Sequence, residues 1–163
     1  MESEPFQNIP TVEPPRGMYT TRLDDKGRLK VPAGFQGFFS ALRERTLFVT
    51  SIDRKLALIY PMAIWRQNEE FFVNYKEDPG AARAAAFNAA DLGAESEMDA
   101  QGRILFPPEL RRELGLENGT LRICAHKGKF EILTEQLYEQ RKQAAAQLNA
   151  GSLEKLESAG LNL

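Results

Sequence analysis

A ten-residue segment occurs twice in this chain, and nothing else in the sequence constrains its fold as strongly. Leu23-Asp24-Asp25-Lys26-Gly27-Arg28-Leu29-Lys30-Val31-Pro32 returns 75 positions later as Met98-Asp99-Ala100-Gln101-Gly102-Arg103-Ile104-Leu105-Phe106-Pro107. Asp, Gly, Arg and Pro are identical in the two copies, and positions 23, 29 and 31 stay apolar at 98, 104 and 106. Phe35 matches Leu110, Thr46-Leu47 matches Thr120-Leu121, and Leu56-Ala57-Leu58-Ile59 matches Phe130-Glu131-Ile132-Leu133. Two units of about 50 residues each are joined by a distinct middle stretch. Units this small bury too little apolar surface to stand alone, so they must share a core or build one with other chains.

Each copy has a readable local structure. Asp-to-Gly is a turn, and the alternating apolar residues after it predict a strand (Leu29, Val31; Ile104, Phe106) ended by Pro32 or Pro107. Residues 108–115 carry Pro and Glu at one end and Gly at the other, which predicts a short helix. Hairpins follow over 46–51 with 55–60 and over 120–125 with 129–133, turning at Ile52-Asp53-Arg54 and His126-Lys127-Gly128. Each copy closes with a helix, Pro61 to about Tyr75 and Thr134 to about Leu148.

The divisions are a proline-rich, disordered arm over 1–15, a first domain over 16–77, a helical connector over 78–97, a second domain over 98–150 and a tail over 151–163. Alanine-dense residues 81–90 account for the connector helix. The tail has room for one or two helical turns using Leu153, Leu156 and Leu161.

Formal net charge is −2, but it is unevenly spread. Residues 16–55 hold nine bases and four acids, whereas residues 99–135 hold six of each. Local basicity of this kind fits a polyanion partner without proving one.

Catalytic and cofactor chemistry finds little support. One cysteine, Cys124, and one histidine, His126, cannot supply a disulfide framework or a Cys/His zinc cluster. Neither a dinucleotide fingerprint nor a phosphate-binding loop is present. Asn118-Gly119-Thr120 reads as a hairpin turn, Cys124 as a small core residue and His126 as a solvated turn residue. Asp24 and Asp99 read as turn-stabilising carboxylates, since each has an Arg four residues on and no third group completes an acid–base pair. No enzyme, cofactor, metal or small-molecule substrate is expected. The absence of a long apolar run or an export signal makes a cytoplasmic protein, with no membrane association, the expectation.

The repeated arginines admit two readings. In one they only fasten the turn to the aspartates, while Gly27 and Gly102 supply positive φ. In the other they belong to a nucleic-acid interface. Strand alternation puts Arg28 and Lys30 on one face, Lys26 shares that parity if extended, and Arg16 and Arg22 lie nearby. A two-stranded ribbon bearing such residues fits the major groove, where Arg pairs with guanine and Lys neutralises phosphate. Residue physics alone leaves the two level.

A resemblance favours the second. Arg16-Gly17, Leu23-Asp24-x-Lys26-Gly27-Arg28-x-x-x-Pro32, Leu58-Ile59-Tyr60-Pro61-x-x-x-Trp65 and Asp99-x-x-Gly102-Arg103-x-x-x-Pro107 together resemble the MraZ family, over about residues 16–140. That family comprises bacterial transcriptional regulators with two SpoVT/AbrB-type domains in one chain. The resemblance implies an α+β fold of two pseudo-twofold-related, swapped-hairpin β units with peripheral helices. It also implies ring-shaped homo-oligomers on double-stranded DNA, at promoter repeats of the division and cell-wall gene cluster, and hence nucleoid association.

Arg28 is then the expected base or phosphate contact, with Lys26 and Lys30 on phosphates and Gly27 allowing close backbone approach. Arg103 is its second-copy counterpart, expected to be weaker because Gln101 stands where the first copy has Lys26. The rival expectation is an AbrB-fold protein-interaction or antitoxin-type module, and a small hydrolase using Asp24 or Asp99 is a distant third.

Overall fold

The two copies of the repeat pair with each other. In the computed structural model, which describes residues 12–163, the first unit runs through β1 (Met18–Thr21), β2 (Arg28–Lys30), α1 (Ala33–Ser40), β3 (Leu47–Thr50), β4 (Ala57–Pro61), α2 (Met62–Asn74) and α3 (Pro79–Leu92). The second runs through β5 (Ala94–Ser96), β6 (Arg103–Leu105), α4 (Pro108–Leu114), β7 (Leu121–His126), β8 (Lys129–Thr134), α5 (Glu135–Ala145) and α6 (Ala150–Ser158). The architecture is α+β, as the sequence predicts. The expected arm falls mostly on residues 1–11, which lie outside the described residues; of the remainder, Val12 packs against the core.

Six strands form one antiparallel sheet in the order β1-β7-β8-β4-β3-β5, and β2 with β6 forms a separate ribbon. Each unit's opening strand is exchanged: β1 pairs with β7 of the second unit, and β5 pairs with β3 of the first. The registers respect the repeat. Arg28 faces Leu105 and Lys30 faces Arg103, two pairs that the repeat interchanges, while Leu29 and Ile104 meet on the axis between them. Val31 N–H bonds to Gly102 O at 2.8 Å and Phe106 N–H to Gly27 O at 2.9 Å, extending the same symmetry past the strand ends.

Three layers result, because strand alternation gives the sheet two apolar faces. One face (Leu47, Val49, Ile59, Leu121, Ile123, Phe130, Ile132) packs against the ribbon's Leu29 and Ile104 and against α1 and α4. Phe35, Phe106 and Leu110 are fully buried in this layer. The other face (Leu58, Tyr60, Leu133) packs against Met62 and Trp65 of α2 and Ala89 of α3. The Tyr-Pro-x-x-x-Trp segment is therefore core: Trp65 stacks on Phe48 at 4.6 Å, and burial pushes the Tyr60 hydroxyl up to about 12.

Several elements differ from expectation. β5 lies in the stretch read as a helical connector, and it is the structural repeat of β1. Neither strand announces itself in sequence, since both are short edge strands with one row of backbone groups unpaired. α1 forms despite Gly34 and Gly37 because Phe35, Phe38 and Phe39 anchor it in the core. The second hairpin turns tightly through Lys127 and Gly128, both with positive φ, whereas the first needs residues 51–56. There Asp53 accepts backbone N–H groups from Lys55 and Leu56 at 2.9 Å each. Among the described residues no helix is long and apolar enough to cross a membrane.

Candidate nucleic-acid interface

Each Asp-x-x-Gly-Arg turn is built by the same three hydrogen bonds. Asp24 Oδ1 accepts the N–H groups of Lys26 at 3.0 Å and Arg28 at 2.8 Å, while Oδ2 accepts Arg28 Nε at 2.8 Å. Asp99 repeats the pattern with Gln101 N, Arg103 N and Arg103 Nε, each at 2.9 Å. The Arg28 backbone N–H, its guanidinium and the Lys26 N–H together hold the Asp24 carboxyl below the usual aspartate value, and Asp99 is lowered by its equivalents. Gly27 and Gly102 close the turns at φ of 82° and 77°.

The fastening role of the arginines is therefore real, yet it engages only Nε. Among the described residues the terminal nitrogens of Arg28 and Arg103 have no protein acceptor, and each side chain keeps 27% exposure. A carboxylate that fixes Nε orients the rest of the guanidinium as a rigid fork. The two readings of the sequence are thus compatible.

The ribbon assembles cations that the sequence separates. Leu29 and Ile104 are buried beneath it, so Arg28, Lys30, Arg103 and Leu105 share its outward face. Leu23 bridges to Leu29, and Lys30 N–H bonds to Arg22 O at 3.3 Å, which brings exposed Arg22 alongside Lys30. Arg22, Lys30 and Arg103 consequently stand in a row across one end. At the other end the bridge between Met98 and Ile104 puts Glu97 beside Leu105, with Arg28 next in the row. The expectation that the first copy carries the positive surface is thus recast: Arg103 of the second copy lies directly opposite Lys30.

The remaining candidates sit as follows. Lys26 is exposed in the turn before β2, not in an extended strand, so it lies at the tip beyond Arg28. Arg16 is exposed and reaches Glu13 at 3.3 Å, apart from the ribbon rows. Gly27 is buried, because the guanidinium of Arg111 covers the place a Cβ would take; Gln36 covers Gly102 likewise. Arg111 and Gln36 were not legible as partners of the turns, since each reaches across from the other unit.

Sequence reading also missed Arg54. It ties the first hairpin to α3 and α4, bonding Asn88 at 2.8 Å and Asp91 at 2.7 Å and pairing with Glu113. Cys124 is half-buried and burial raises its thiol pKa, which suits packing and not nucleophilic attack. Among the described residues no three His, Cys, Asp or Glu side chains are placed to hold a metal ion.

A duplicated α+β chain whose distinctive surface is a cation-bearing ribbon, with the shared core beneath it, is the class that fold and site define. Residues 92–158 match the family described as "MraZ protein, putative antitoxin-like". Three relatives bear the name Transcriptional regulator MraZ. That of Nitrosospira multiformis is 31% identical over 146 residues, spanning 90% of this chain and 99% of its own length. That of Acidobacterium capsulatum is 32% identical over 125 residues (77% and 85%), and that of Thermus thermophilus 33% over 123 residues (75% and 83%). The chain belongs to the MraZ family.

Proposed function

We infer that this chain is a non-enzymatic, sequence-specific transcriptional regulator that meets double-stranded DNA through the outward face of the β2–β6 ribbon. The carrying observation is the convergence of Arg28, Lys30 and Arg103, from two distant parts of the sequence, on one solvent-facing two-stranded surface. Such a ribbon has the width of a major-groove reader. The arginines, held at Nε by Asp24 and Asp99, present forks to guanine edges or phosphates, while Arg22, Lys26 and Lys30 neutralise phosphates. Arg16 lies outside this rigid set and adds at most a peripheral contact.

The sites are promoter repeats of the division and cell-wall gene cluster, bound by a ring-like homo-oligomer at the nucleoid. No cofactor, membrane or small-molecule substrate takes part. The test is footprinting on the region upstream of the chain's own gene, with affinity measured against salt. Protection of spaced repeats and a steep fall of log K with log salt are expected. Salt-insensitive binding, or no protection, overturns the reading and favours the protein-interaction alternative. That alternative draws its support from the exposed Phe71, Val73 and Phe87 on α2 and α3.

A further inference from the structure

The structural repeat continues beyond the last residues whose sequences match. α2 and α3 are joined by residues 75–78, and α5 and α6 by residues 146–149, links of equal length. Asp78 caps α3 by accepting Ala81 N–H at 3.1 Å; Asn149 caps α6 by accepting Ser152 N–H at 2.9 Å. A glycine follows two positions after each cap, Gly80 and Gly151. α6 is thus the counterpart of α3.

Their surroundings differ completely. α3 lies on the outer face of the sheet and buries Ala82, Ala89 and Leu92. Thr50 Oγ1 donates to Ala89 O at 2.7 Å beneath it, and Asn88 Nδ2 to Ile52 O at 2.8 Å. Carried across from the two caps, the same helical face of α6 presents Leu153 and Leu156, and the chain beyond its end adds Leu161 and Leu163. No residue of α6 is buried: Leu153 is half-buried and Leu156 46% exposed, and beyond the helix Leu163 is 68% exposed. The sheet position equivalent to the fully buried Thr50 is Cys124, which is only half-buried, beside an exposed Met18. A leucine stripe without a seat and a seat without its helix therefore coexist in one chain.

We propose that α6 docks on the outer face of β1 and β7, beside α5, of a second copy of this chain. The direction of the link argues for the second copy. At Tyr75 the backbone turns to extended values (φ −75°, ψ 123°) and sends α3 back over its own unit. At Ala146 it stays helical (φ −66°, ψ −14°), carrying α6 away from its own sheet. Charge agrees: the receiving hairpin bears Lys127 and Lys129, whereas α6 carries Glu154 and Glu157 against Lys155. The proposal rests on the reading of the chain as a homo-oligomer and names the surface that builds it.

Cys124 is the sole cysteine and lies within the seat, so L156C full-length protein treated with a short bismaleimide reports the contact directly. A ladder of covalent species at multiples of 18.3 kDa, starting at about twice that mass, that disappears in C124S/L156C is expected. A compact, internally linked monomer overturns the second-copy occupant. Absence of any link, or a dimer that persists in C124S/L156C, overturns the seat. Light scattering separates this from the oligomer reading itself. Wild type at 18.3 kDa refutes that reading, whereas an unchanged larger mass in L153D/L156D refutes only the docking of α6. A single cooperative melt for L153D/L156D, lowered only by the loss of association, shows that the fold survives.

Discussion

The two ends of the ribbon have the same backbone and different surfaces. At one end Arg22, Lys30 and Arg103 stand side by side; at the other the equivalent places hold Glu97, Leu105 and Arg28. The turns that support them match to within about a tenth of an ångström in all three hydrogen bonds. What duplication has kept is therefore the scaffold of the turn, and what has diverged is the charge mounted on it. Geometry common to both ends is the part that serves the fold. The difference between them serves whatever the ribbon touches.

The shared part should give the largest effects. Leu29 and Ile104 are wholly buried against each other on the axis, so Leu29→Ala and Ile104→Ala should each destabilise by about 2–5 kcal/mol, and by similar amounts. Urea unfolding of both variants checks this, and a several-fold disparity would break the equivalence of the two ends. Gly27→Ala should cost about 1–3 kcal/mol, because it adds a Cβ at positive φ where the Arg111 guanidinium already sits. Arg111→Ala should recover part of that loss in Gly27→Ala but none in Gly102→Ala, whose added Cβ meets Gln36 instead.

The diverged part is read in DNA affinity. Arg28→Ala and Arg103→Ala should each weaken binding by about 1–3 kcal/mol per site engaged. Arg103 should lose at least as much as Arg28, because it lies in the more basic row. A loss confined to Arg28→Ala would restore the idea of a single active copy. Exchanging the residues that distinguish the ends should act in opposite senses: Lys30→Leu should flatten the slope of log K against log salt by about 0.9, and Leu105→Lys should steepen it by about as much.

The smallest expected effect is acid sensitivity. The Asp24 and Asp99 carboxyls lie below their ordinary value of 3.8 in the folded chain, so their stabilisation is present above that pH and is lost as pH falls through the lowered values. Asp24→Asn and Asp99→Asn should lower the melting temperature near pH 6, by an amount that shrinks as pH falls below 3.8. A gap that stays constant across that range would show that the charge on these aspartates is irrelevant.

What the sequence discloses follows from the range of each interaction. The turns, the proline stops and the helix ending at Gly115 are set by residues within a few positions, and each lies where expected. The hairpins are nearly as local. Exchange of β1 and β5 depends on contacts about a hundred or fifty residues away, between strands whose residues share no motif. The candidate site was legible as a set of cations, but not as a row, because parity along one strand says nothing about its neighbour. Once the ribbon register is known, Arg103 moves from a weaker echo of Arg28 to a neighbour of Lys30. Arg111 and Gln36 illustrate the same limit: each protects a glycine in the other unit, and no local pattern links them.

The exchange of opening strands within one chain has a further consequence for folding. Two separate copies of a half-sized unit that complete each other's sheet would come apart on dilution, and their stability would depend on protomer concentration. Here both halves arrive on one chain, so closing the sheet is a unimolecular step. A pair of identical half-chains must also carry every substitution on both sides of its axis at once. A single chain is free of that coupling, and Leu105 facing solvent where its counterpart is Lys30 is a change that only a covalently joined pair can make on one side.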